Sequence, residues 1–450
     1  MTVNSLLKHL LHIKGASVFG YEFGEDGGLA GALKVHVRVD KRRKWRCPVC
    51  GRRCRVHDYV CGERFWRGMD FGPVAVFIGA PVPRVCCEEH GVLVAAVPWA
   101  DQGSRFTLDF AYSAAWMLKG GLCKSKVAEY LRVDWKTVGR LVAQVWHDVE
   151  PDVGARFDGL VRIGIDETSF RKGHSYVTTV VNHDTNTVVW ASVGFGKEVV
   201  EKFFEALTPE QLASIKVVSG DGARWITDAV AKYCPGAKRC LDPFHVVEWA
   251  NGALDSVRVD AWRRALDTLR EMRKGGKAGE DEVRAAKKAA EEIKHSKYAL
   301  GKNPGNLTDA QRERLAVIQA QDGPLARGYA MKEQLRAILG MTDADEADEC
   351  LGRWIAHAQR CRIPAFVELQ RKIRRHRENI LNAIRCRISN ARVEALNNKI
   401  KLLIRIAYGF RNTDTMIGPI MLFCSNIEIP WPGRRRENAN VTRLNGHATA

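Results

Sequence analysis

The chain contains 450 residues, of which 46% are hydrophobic, and its 70 Lys and Arg side chains outnumber 52 Asp and Glu to give a net charge of +18. This length favours about three domains, and this composition excludes wholesale disorder. The positive charge is concentrated in two segments, because residues 40–67 have a net charge of +7 and residues 371–411 have a net charge of +10. Such clusters indicate a polyphosphate partner, which is either nucleic acid or a membrane surface.

Nucleic acid is the favoured partner, because the sequence has no run of about 18 uncharged apolar residues that could span a membrane. The first residues also lack the charged start, apolar core and small-residue cleavage site of a secretory signal. We therefore expect a cytoplasmic protein with reduced thiols, in which cysteines favour metal binding over a disulfide framework.

Residues 1–100 form a cysteine-rich, basic region with strand-like alternation at 33–39. Two of its segments share one plan of ligand, two spacers, ligand and glycine: Cys47-Pro-Val-Cys50-Gly51 and Cys87-Glu-Glu-His90-Gly91. A tetrahedral zinc ion needs four such ligands, and each glycine permits the positive φ that closes the turn. The pattern predicts a zinc-ribbon DNA-binding domain with one structural Zn²⁺, held by Cys47, Cys50, Cys87 and His90.

Other arrangements of these cysteines remain open. Cys47, Cys50, Cys54 and Cys61 form a more compact rival set, Cys86 could substitute for Cys87, and the thiols could also be buried without a metal. Basic side chains surround the ribbon, and we expect them to contact DNA, although a charge run is otherwise a solvated surface. They are Lys41, Arg42, Arg43, Lys44, Arg52 and Arg53.

Residues 101–150 have helical patterns. A helix at 126–131, a short turn at 132–134 and a second helix at 135–142 predict a helix-turn-helix DNA-binding unit, although Arg132 occupies a turn that usually carries glycine. In this interpretation Lys136, Thr137 and Arg140 face the major groove. The alternative is a pair of ordinary packed helices.

Residues 158–257 alternate between strand and helix patterns. We predict strands at 160–165, 175–181, 187–193, 215–218 and 238–241, with helices at 197–207, at 224–232 and from 243 onward. Three antiparallel strands followed by two that alternate with helices are typical of a ribonuclease H-like α/β domain. Residues 258–412 are almost wholly helical in pattern, and residues 430–450 form a basic, flexible tail.

Two aspartates end predicted strands. Asp166 ends the first strand and Asp221 ends the fourth, and these two strand ends lie side by side in this layout. A two-metal nuclease needs carboxylates from separate segments around ions about 3.5–4 Å apart, so both aspartates are candidate metal ligands. Glu167 should point the opposite way, because neighbouring strand residues alternate. A helix cap or turn is the alternative role for each aspartate.

The third carboxylate is expected from a late helix that follows Ser389. An apolar stripe marks one side of this helix, at Val393, Leu396, Ile400 and Leu403. A different face carries Glu394 among amides and cations, namely Asn390, Asn398, Lys401 and Arg405. Glu394 is therefore the candidate third metal ligand, with the asparagines as support and the two cations as phosphate contacts. A solvated helix face is the alternative.

Asp242 precedes Pro243 at a predicted helix start, so we favour a helix cap that supports the site over a metal ligand. His245 lies close by, where it could orient the site or simply pack in the protein interior.

Several segments together resemble the DDE transposases of bacterial insertion sequences, specifically the ISL-three family. They are Cys-Pro-Val-Cys-Gly at 47–51, Gly-Ile-Asp-Glu-Thr-Ser-Phe at 164–170 with Lys172-Gly173-His174, Asp-Pro-Phe-His-Val-Val at 242–247, Lys-Asn-Pro-Gly-Asn-Leu-Thr at 302–308, Ser389-Asn390 through Glu394, Leu-Asn-Asn-Lys-Ile at 396–400 and Gly-Phe-Arg-Asn at 409–412. The resemblance covers about residues 30–425. It implies a DDE triad, by position Asp166, Asp221 and Glu394, in a catalytic domain at 158–425 with an all-helical insertion at about 258–380.

From the residues and the resemblance we expect a transposase that binds the terminal inverted repeats of an insertion sequence and catalyses strand cleavage and strand transfer. Two Mg²⁺ or Mn²⁺ ions would serve this phosphoryl transfer. Its partners would be double-stranded DNA, at element ends and target, and further copies of itself, at least as a dimer when ends are paired. We expect it at the bacterial nucleoid. The alternatives are a catalytically silent DNA-binding regulator derived from a transposase, and another ribonuclease H-like nuclease.

Overall fold

The structure is a computed structural model. It describes residues 2–26, 29–43, 45–59, 62–149, 154–171, 175–275, 279–320, 323–388, 391–406, 414–427 and 429–430. The chain divides into two compact units, one formed by Met1–Val153 with Ile400–Ala450 and the other by Gly154–Lys399. Within the described ranges, none of the helices is both long and apolar enough to cross a membrane.

Two small sheets open the first unit. Its elements are α1 (Val3–Leu10), β1 (Ala16–Asp26), β2 (Leu29–Val39), β3 (Arg55–Asp58), β4 (Arg64–Arg67), β5 (Val76–Ala80), β6 (Arg84–Cys87) and β7 (Gly91–Val94). One sheet has the strand order β1-β2-β5-β4, and the other has the order β3-β6-β7. The alternation predicted at 33–39 is confirmed, since Val35 and Val37 are fully buried and pack in one core with Trp66 and Trp99.

Three helices follow the sheets in this unit: α2 (Leu108–Lys119), α3 (Lys124–Leu131) and α4 (Trp135–Val149). The two predicted helices of the helix-turn-helix are present, and both are longer than predicted. Arg132 ends α3 in the left-handed conformation that glycine usually supplies, with φ of 55°. Its guanidinium pairs with Asp70, so the residue that departs from the usual turn also ties the turn to the preceding sheet region.

A five-stranded mixed sheet forms the start of the second unit. Its elements are β8 (Arg162–Arg171), β9 (Ser175–Asn182), β10 (Thr187–Val193), α5 (Lys197–Glu205), α6 (Pro209–Ser214), β11 (Val217–Gly220), α7 (Arg224–Tyr233) and β12 (Lys238–Leu241). The strand order is β10-β9-β8-β11-β12. The first three strands are antiparallel, and β8, β11 and β12 are parallel. All five predicted strands and their order along the chain are confirmed.

Two differences between the predicted and observed bounds lie close to the aspartates. Strand β8 does not end at Asp166 but continues to Arg171, because β9 keeps pairing with it, as at Asp166↔Thr179. The predicted strand at 215–218 starts two residues later, after the unpredicted helix α6, whose first turn is fixed by a capping box between Thr208 and Gln211.

The rest of the second unit is helical. Its helices are α8 (Pro243–Gly275), α9 (Glu280–Lys294), α10 (Lys297–Gly301), α11 (Asp309–Ala320), α12 (Pro324–Leu339), α13 (Ala344–Arg360), α14 (Pro364–Arg375) and α15 (Arg377–Arg385). They surround a core that includes Leu254, Leu335, Leu351 and Phe366. Two late helices complete the chain: α16 (Ala391–Ile406), which spans the division between the units, and α17 (Asp414–Cys424) in the first unit.

Candidate metal centre and active site

Two turns at the three-stranded sheet bring four metal-binding side chains together. Cys47 and Cys50 lie in the turn before β3, while Cys87 ends β6 and His90 precedes β7. Their ligand atoms, three Sγ and one imidazole nitrogen, all lie within 4.8 Å of one another. Both turns close on a glycine of positive φ, 70° at Gly51 and 69° at Gly91, which is the geometry expected for these positions.

The spacing of these atoms matches a tetrahedron. With Zn–S bonds of about 2.3 Å, neighbouring ligands should lie about 3.8 Å apart. Cys50 Sγ is 3.7 Å from Cys87 Sγ, and His90 Nδ1 is 3.5 Å from Cys87 Sγ and 3.8 Å from Cys47 Sγ. The hydrogen bond from His90 lowers the pKa of Cys87 to about 6, which favours the thiolate that a metal binds. The donor set therefore fits zinc.

The rival ligands are placed differently. Cys86 is exposed and alternates with the buried Cys87 along β6, so the two thiols leave opposite faces of the strand. Cys54 donates its S–H to the carbonyl of Arg52. Cys61 lies outside the described residues. Within the part of the chain that the structure describes, only the four predicted ligands form a close group of this kind.

The basic residues predicted to contact DNA around the ribbon have mixed environments. Lys41, Arg42 and Arg53 are exposed. Arg52 forms an ion pair with Glu89 at 2.5 Å, which links the two metal-binding turns. Lys44 and the side chain of Arg43 lie outside the described residues. DNA contact at these positions stays a prediction.

The helix-turn-helix presents two of its three predicted DNA-contacting side chains. Lys136 and Arg140 are exposed on α4. Thr137 is not, because it is 8% exposed and its hydroxyl accepts a hydrogen bond from Arg140 Nη2 at 3.1 Å. Position 137 faces the packed side of the helix, one residue before the fully buried Val138. The prediction that Thr137 faces outward toward DNA is therefore wrong for this structure.

Three aspartates form a row across three adjacent strands of the five-stranded sheet, just after β11 and β12 end and within β8. In the parallel pairs, Ser219 lies opposite Gly164 and Gly220 lies opposite Leu241. Continuing that register places Asp221 between Asp166 and Asp242. Adjacent strands are about 4.8 Å apart, so the backbones of the three aspartates lie at successive steps of about that size. We call these three residues the aspartate row.

Asp166 is held from a distant part of the chain. Its Oδ2 accepts a hydrogen bond of 2.7 Å from the Asn397 side-chain amide on α16 and one of 3.1 Å from the Thr168 hydroxyl. Asn397 is 231 residues away in sequence. The side chain of Glu394 lies outside the described residues, but its backbone is three residues before Asn397 on the same helix. The role of Glu394 as the third carboxylate stays a prediction.

The supporting residues predicted on α16 are placed as follows. Asn398, Lys401 and Arg405 are exposed, and Asn390 lies outside the described residues. Leu396 and Ile400 are buried, as the apolar stripe predicts. The amide that contacts the aspartate row belongs to Asn397, which the sequence pattern did not single out.

Asp242 performs the predicted helix cap. Its Oδ1 accepts a hydrogen bond of 2.9 Å from the Phe244 backbone N–H at the start of α8. Its other carboxylate oxygen lies 3.6 Å from His245 Nε2, so His245 does reach the site. Burial raises the pKa of Asp242 to about 6, and the negative charges of Asp166 and Asp221 act in the same direction.

A buried cation lies beneath the row, and sequence patterns did not reveal it. Arg239 on β12 is 7% exposed, and its guanidinium donates to the backbone carbonyls of Val218 and Gly220 and of Asp221 itself. Burial lowers the pKa of Arg239 to about 10, while Asp221 and Asp242 oppose that shift. It therefore stays charged at neutral pH and offsets the negative charge of the row. A lone Arg in a strand of four residues gives no signal of this role.

Glu167 faces away from Asp166, as predicted. Its carboxylate accepts hydrogen bonds from the Gly196 backbone N–H at 2.8 Å and from the Trp225 indole at 3.1 Å. These donors belong to the start of α5 and to α7, whereas Asp166 is contacted from α16. Burial raises the pKa of Glu167. These hydrogen bonds connect β8 to α5 and α7, so Glu167 has a structural role in this part of the sheet.

The row fits hard divalent cations by its donor chemistry. Asp166 Oδ2 accepts the hydrogen bonds described above, and Asp221 Oδ1 accepts one from the Ala223 backbone N–H. Among the described residues, no donor forms a hydrogen bond with Asp166 Oδ1 or with Asp221 Oδ2. Asn397 Oδ1 is buried without a hydrogen-bond partner in the same set. Carboxylate and amide oxygens are the ligands that Mg²⁺ and Mn²⁺ prefer. The three aspartates do not form a close group of ligand atoms like that of Cys47, Cys50, Cys87 and His90.

Comparison with known proteins gives consistent matches along the chain. Residues 163–420 match a family model described as "Transposase", and residues 95–146 match one described as "Helix-turn-helix domain of transposase family ISL3". The predicted helix-turn-helix is thereby confirmed. The transposase for insertion sequence element IS1557 from two strains of Mycobacterium tuberculosis is 43% identical over 418 residues, which cover 92% of this chain and 93% of the relative. The transposase for insertion sequence element IS1001 from Bordetella parapertussis is 26% identical over 444 residues, 97% of this chain and all of the relative.

Proposed function

Since the chain belongs to the ISL3 family of transposases, we propose that it binds the terminal inverted repeats of an insertion sequence and catalyses DNA strand cleavage and strand transfer there. The observation that carries the proposal is the hydrogen bond from Asn397 to Asp166. It supports the proposal because Asn397 and Glu394 belong to the same helix, and Asp166 lies on the strand next to that of Asp221. Carboxylates from three distant segments are what a two-metal phosphoryl-transfer site needs.

We propose a ribonuclease H-like fold for the catalytic domain, at 158–425, with the helical insertion at about 258–380. The support is the sheet itself, in which three antiparallel strands are followed by two parallel strands at one edge. The chain reaches Glu394 only after the long helical stretch that starts at Pro243. The N-terminal zinc ribbon at 1–100 and the helix-turn-helix at 101–150 would be the DNA-binding domains.

Asp166, Asp221 and Glu394 would hold two Mg²⁺ or Mn²⁺ ions. Bound there, such ions would stabilise the attacking and leaving oxygens of an in-line displacement at phosphorus. The residues of the chain hold the carboxylates in place: Asn397 fixes the rotamer of Asp166, and Arg239 fixes the backbone of Asp221. Asp242 and His245 support the far end of the row. Their work is positioning, which is the main protein contribution to phosphoryl transfer.

The basic residues of the N-terminal domains would bind DNA. Lys136 and Arg140 would enter the major groove from α4, and the exposed basic residues around the zinc ribbon would neutralise phosphates. Lys401 and Arg405, exposed on α16, would contact phosphates of the DNA that is cut. Two ends must be cut together, so we propose at least a homodimer on paired DNA ends.

The decisive experiment separates cutting from binding. In the full-length protein, Asp166→Asn, Asp221→Asn and Glu394→Gln should each lower Mg²⁺-dependent cleavage of end DNA by more than about 100-fold, since even residues that only support metal ligands change activity by about 10- to 100-fold. End binding should remain unchanged. Asp184→Asn is the matched control, because Asp184 is a carboxylate of the same unit that pairs with Arg162 away from the row.

Two results would contradict the proposal. If the wild-type protein binds end DNA but never cuts it with Mg²⁺ or Mn²⁺, the chain is a DNA-binding regulator. If the three variants cut as fast as Asp184→Asn, the assigned triad is wrong.

A further inference from the structure

A lysine rests on an aromatic ring close to the aspartate row. Lys372 of α14 places its Nζ 3.6 Å from the centroid of the Trp249 ring on α8. The imidazole of His376 lies beside the same ring, with ring centroids 5.6 Å apart. An ammonium at this distance from an indole face is held by the electrostatic attraction of the ring. We call these three residues the Trp249 cluster.

The Trp249 cluster touches the backbone that immediately follows Asp221. A Cβ atom added to Gly222 would lie 2.6 Å from Trp249 Cζ2 and 3.8 Å from His376 Nε2. The first distance is shorter than any allowed contact, so only glycine lets the indole edge pack this close. The cluster is therefore fixed at the Asp221 side of the row.

The ammonium of Lys372 is not neutralised where it lies. Burial lowers the pKa of Lys372, and the negative charges of Asp221 and Glu248 oppose that shift. Glu248, however, is engaged with His245 at 3.2 Å. Among the described residues no carboxylate comes within the 4.0 Å of an ion pair with Lys372. Arg375 adds a second exposed positive charge in the next turn.

Lys372 is thus an exposed cation beside an acidic row, without a carboxylate partner among the described residues, and it can bind an anion from outside. DNA supplies one at each phosphate, and a lysine ammonium binds a phosphate as a point charge without demanding a fixed hydrogen-bond geometry. The indole would keep the flexible side chain of Lys372 in one place before DNA arrives, which reduces the ordering cost of binding.

We propose that Lys372, held on Trp249, binds the backbone phosphate adjacent to the scissile phosphate on the Asp221 side of the aspartate row. The inference rests on the proposed function, because it takes DNA as the substrate of that row. It adds a substrate subsite from the helical part of the second unit and gives one residue of the basic segment 371–411 a specific phosphate to bind.

The first test is the salt dependence of binding to end DNA by the full-length protein. Each neutralised phosphate contributes about 0.9 to the slope of log affinity against log salt concentration for duplex DNA, so Lys372→Gln should reduce the slope by about 1. Arg374→Gln is the matched control: it removes one exposed charge from the same helix, but its guanidinium faces Gln359 at 3.0 Å. The control slope should equal that of wild type. Equal slopes for both variants would overturn the inference.

The second test locates the phosphate. Neutral methylphosphonates placed one at a time on either side of the cut should weaken wild-type binding at one adjacent position by several-fold, and Lys372→Gln should show no further loss at that position alone. Trp249→Leu should behave like Lys372→Gln at that position and like wild type at the others, which separates loss of the subsite from misfolding. An unchanged methylphosphonate pattern in Lys372→Gln would overturn the inference.

The outcomes also separate this inference from the proposed function. If wild-type protein neither binds nor cuts end DNA, the proposed function fails. If it does both, and Lys372→Gln only shifts the Mg²⁺ concentration needed for cleavage, Lys372 is merely a counter-charge for Asp221 and the phosphate subsite is rejected.

Discussion

The hydrogen bond between Asn397 and Asp166 offers the sharpest test of how the active site is assembled. The perturbation is Asn397→Ala, which removes the donor and leaves the helix backbone in place. The bond is 2.7 Å long and has a carboxylate acceptor. Hydrogen bonds to charged groups contribute about 1.5–3 kcal/mol, which corresponds to a factor of about 10 to 150. We expect a loss of this size in the cleavage rate at limiting Mg²⁺.

The reason is that Asp166 would keep its charge but lose its fixed rotamer. Higher Mg²⁺ concentration should restore part of the activity, because metal binding can then order the carboxylate. Asn397→Asp should be worse than alanine at low Mg²⁺, since it puts a second negative charge beside Asp166. The assay is cleavage of end DNA across a Mg²⁺ titration, with DNA affinity measured in parallel.

The adjacent residue supplies the control. Asn398→Ala makes the same chemical change one position along α16, at an exposed side chain. It should leave the Mg²⁺ titration within about two-fold of wild type, as surface substitutions usually do. If Asn397→Ala and Asn398→Ala give the same titration curve, the hydrogen bond does not position Asp166 and the reasoning is refuted.

Two further predictions concern the first unit. Cys87→Ser should lower the zinc content of the full-length protein well below one ion per chain and weaken its binding to end DNA. Cys86→Ser, on the opposite face of the same strand, should leave zinc content and DNA binding unchanged. Equal zinc contents in the two variants would reject the ligand set. Asp70→Asn should destabilise this unit by about 2 kcal/mol or more in chemical denaturation, because the buried Arg67 loses its charge partner. Arg132→Gly should stay within about 1 kcal/mol of wild type, since glycine suits the left-handed φ while an exposed ion pair is lost; a larger loss than for Asp70→Asn would contradict this account.

Features set by local spacing were predictable from the sequence. The two Cys-containing turns each span only five consecutive residues, so their spacing and the positive φ of each glycine were predictable, whereas the choice among the rival cysteines needed the fold. The five strands were predictable for the same reason, since apolar runs bounded by turn residues define them. The placement of Asp166 and Asp221 on adjacent strands then followed from the order of the strands, although β8 continues past Asp166.

Features set by the rotation of a helix were not predictable. Asn397 and Asn398 are neighbours in one motif, and helical periodicity alone allowed either to share the face of Glu394. In the structure Leu396 and Ile400 are buried, and Asn397 is the amide that contacts Asp166. The same difficulty explains the wrong prediction for Thr137. Successive residues of a helix are rotated by about 100°, so Thr137 is buried although its neighbour Lys136 is exposed.

The charges around the aspartate row explain how three carboxylates can lie side by side and still accept cations. Burial and mutual repulsion work against the ionised row, as the raised pKa of Asp242 shows. Arg239 offsets that repulsion, but its guanidinium donates to backbone carbonyls and so occupies none of the carboxylate oxygens. Lys372 is drawn toward Asp221 and is held on Trp249 instead of pairing with it. Arg239 and Lys372 thus offset the negative charge of the aspartate row without occupying the carboxylate oxygens that metal ions would bind.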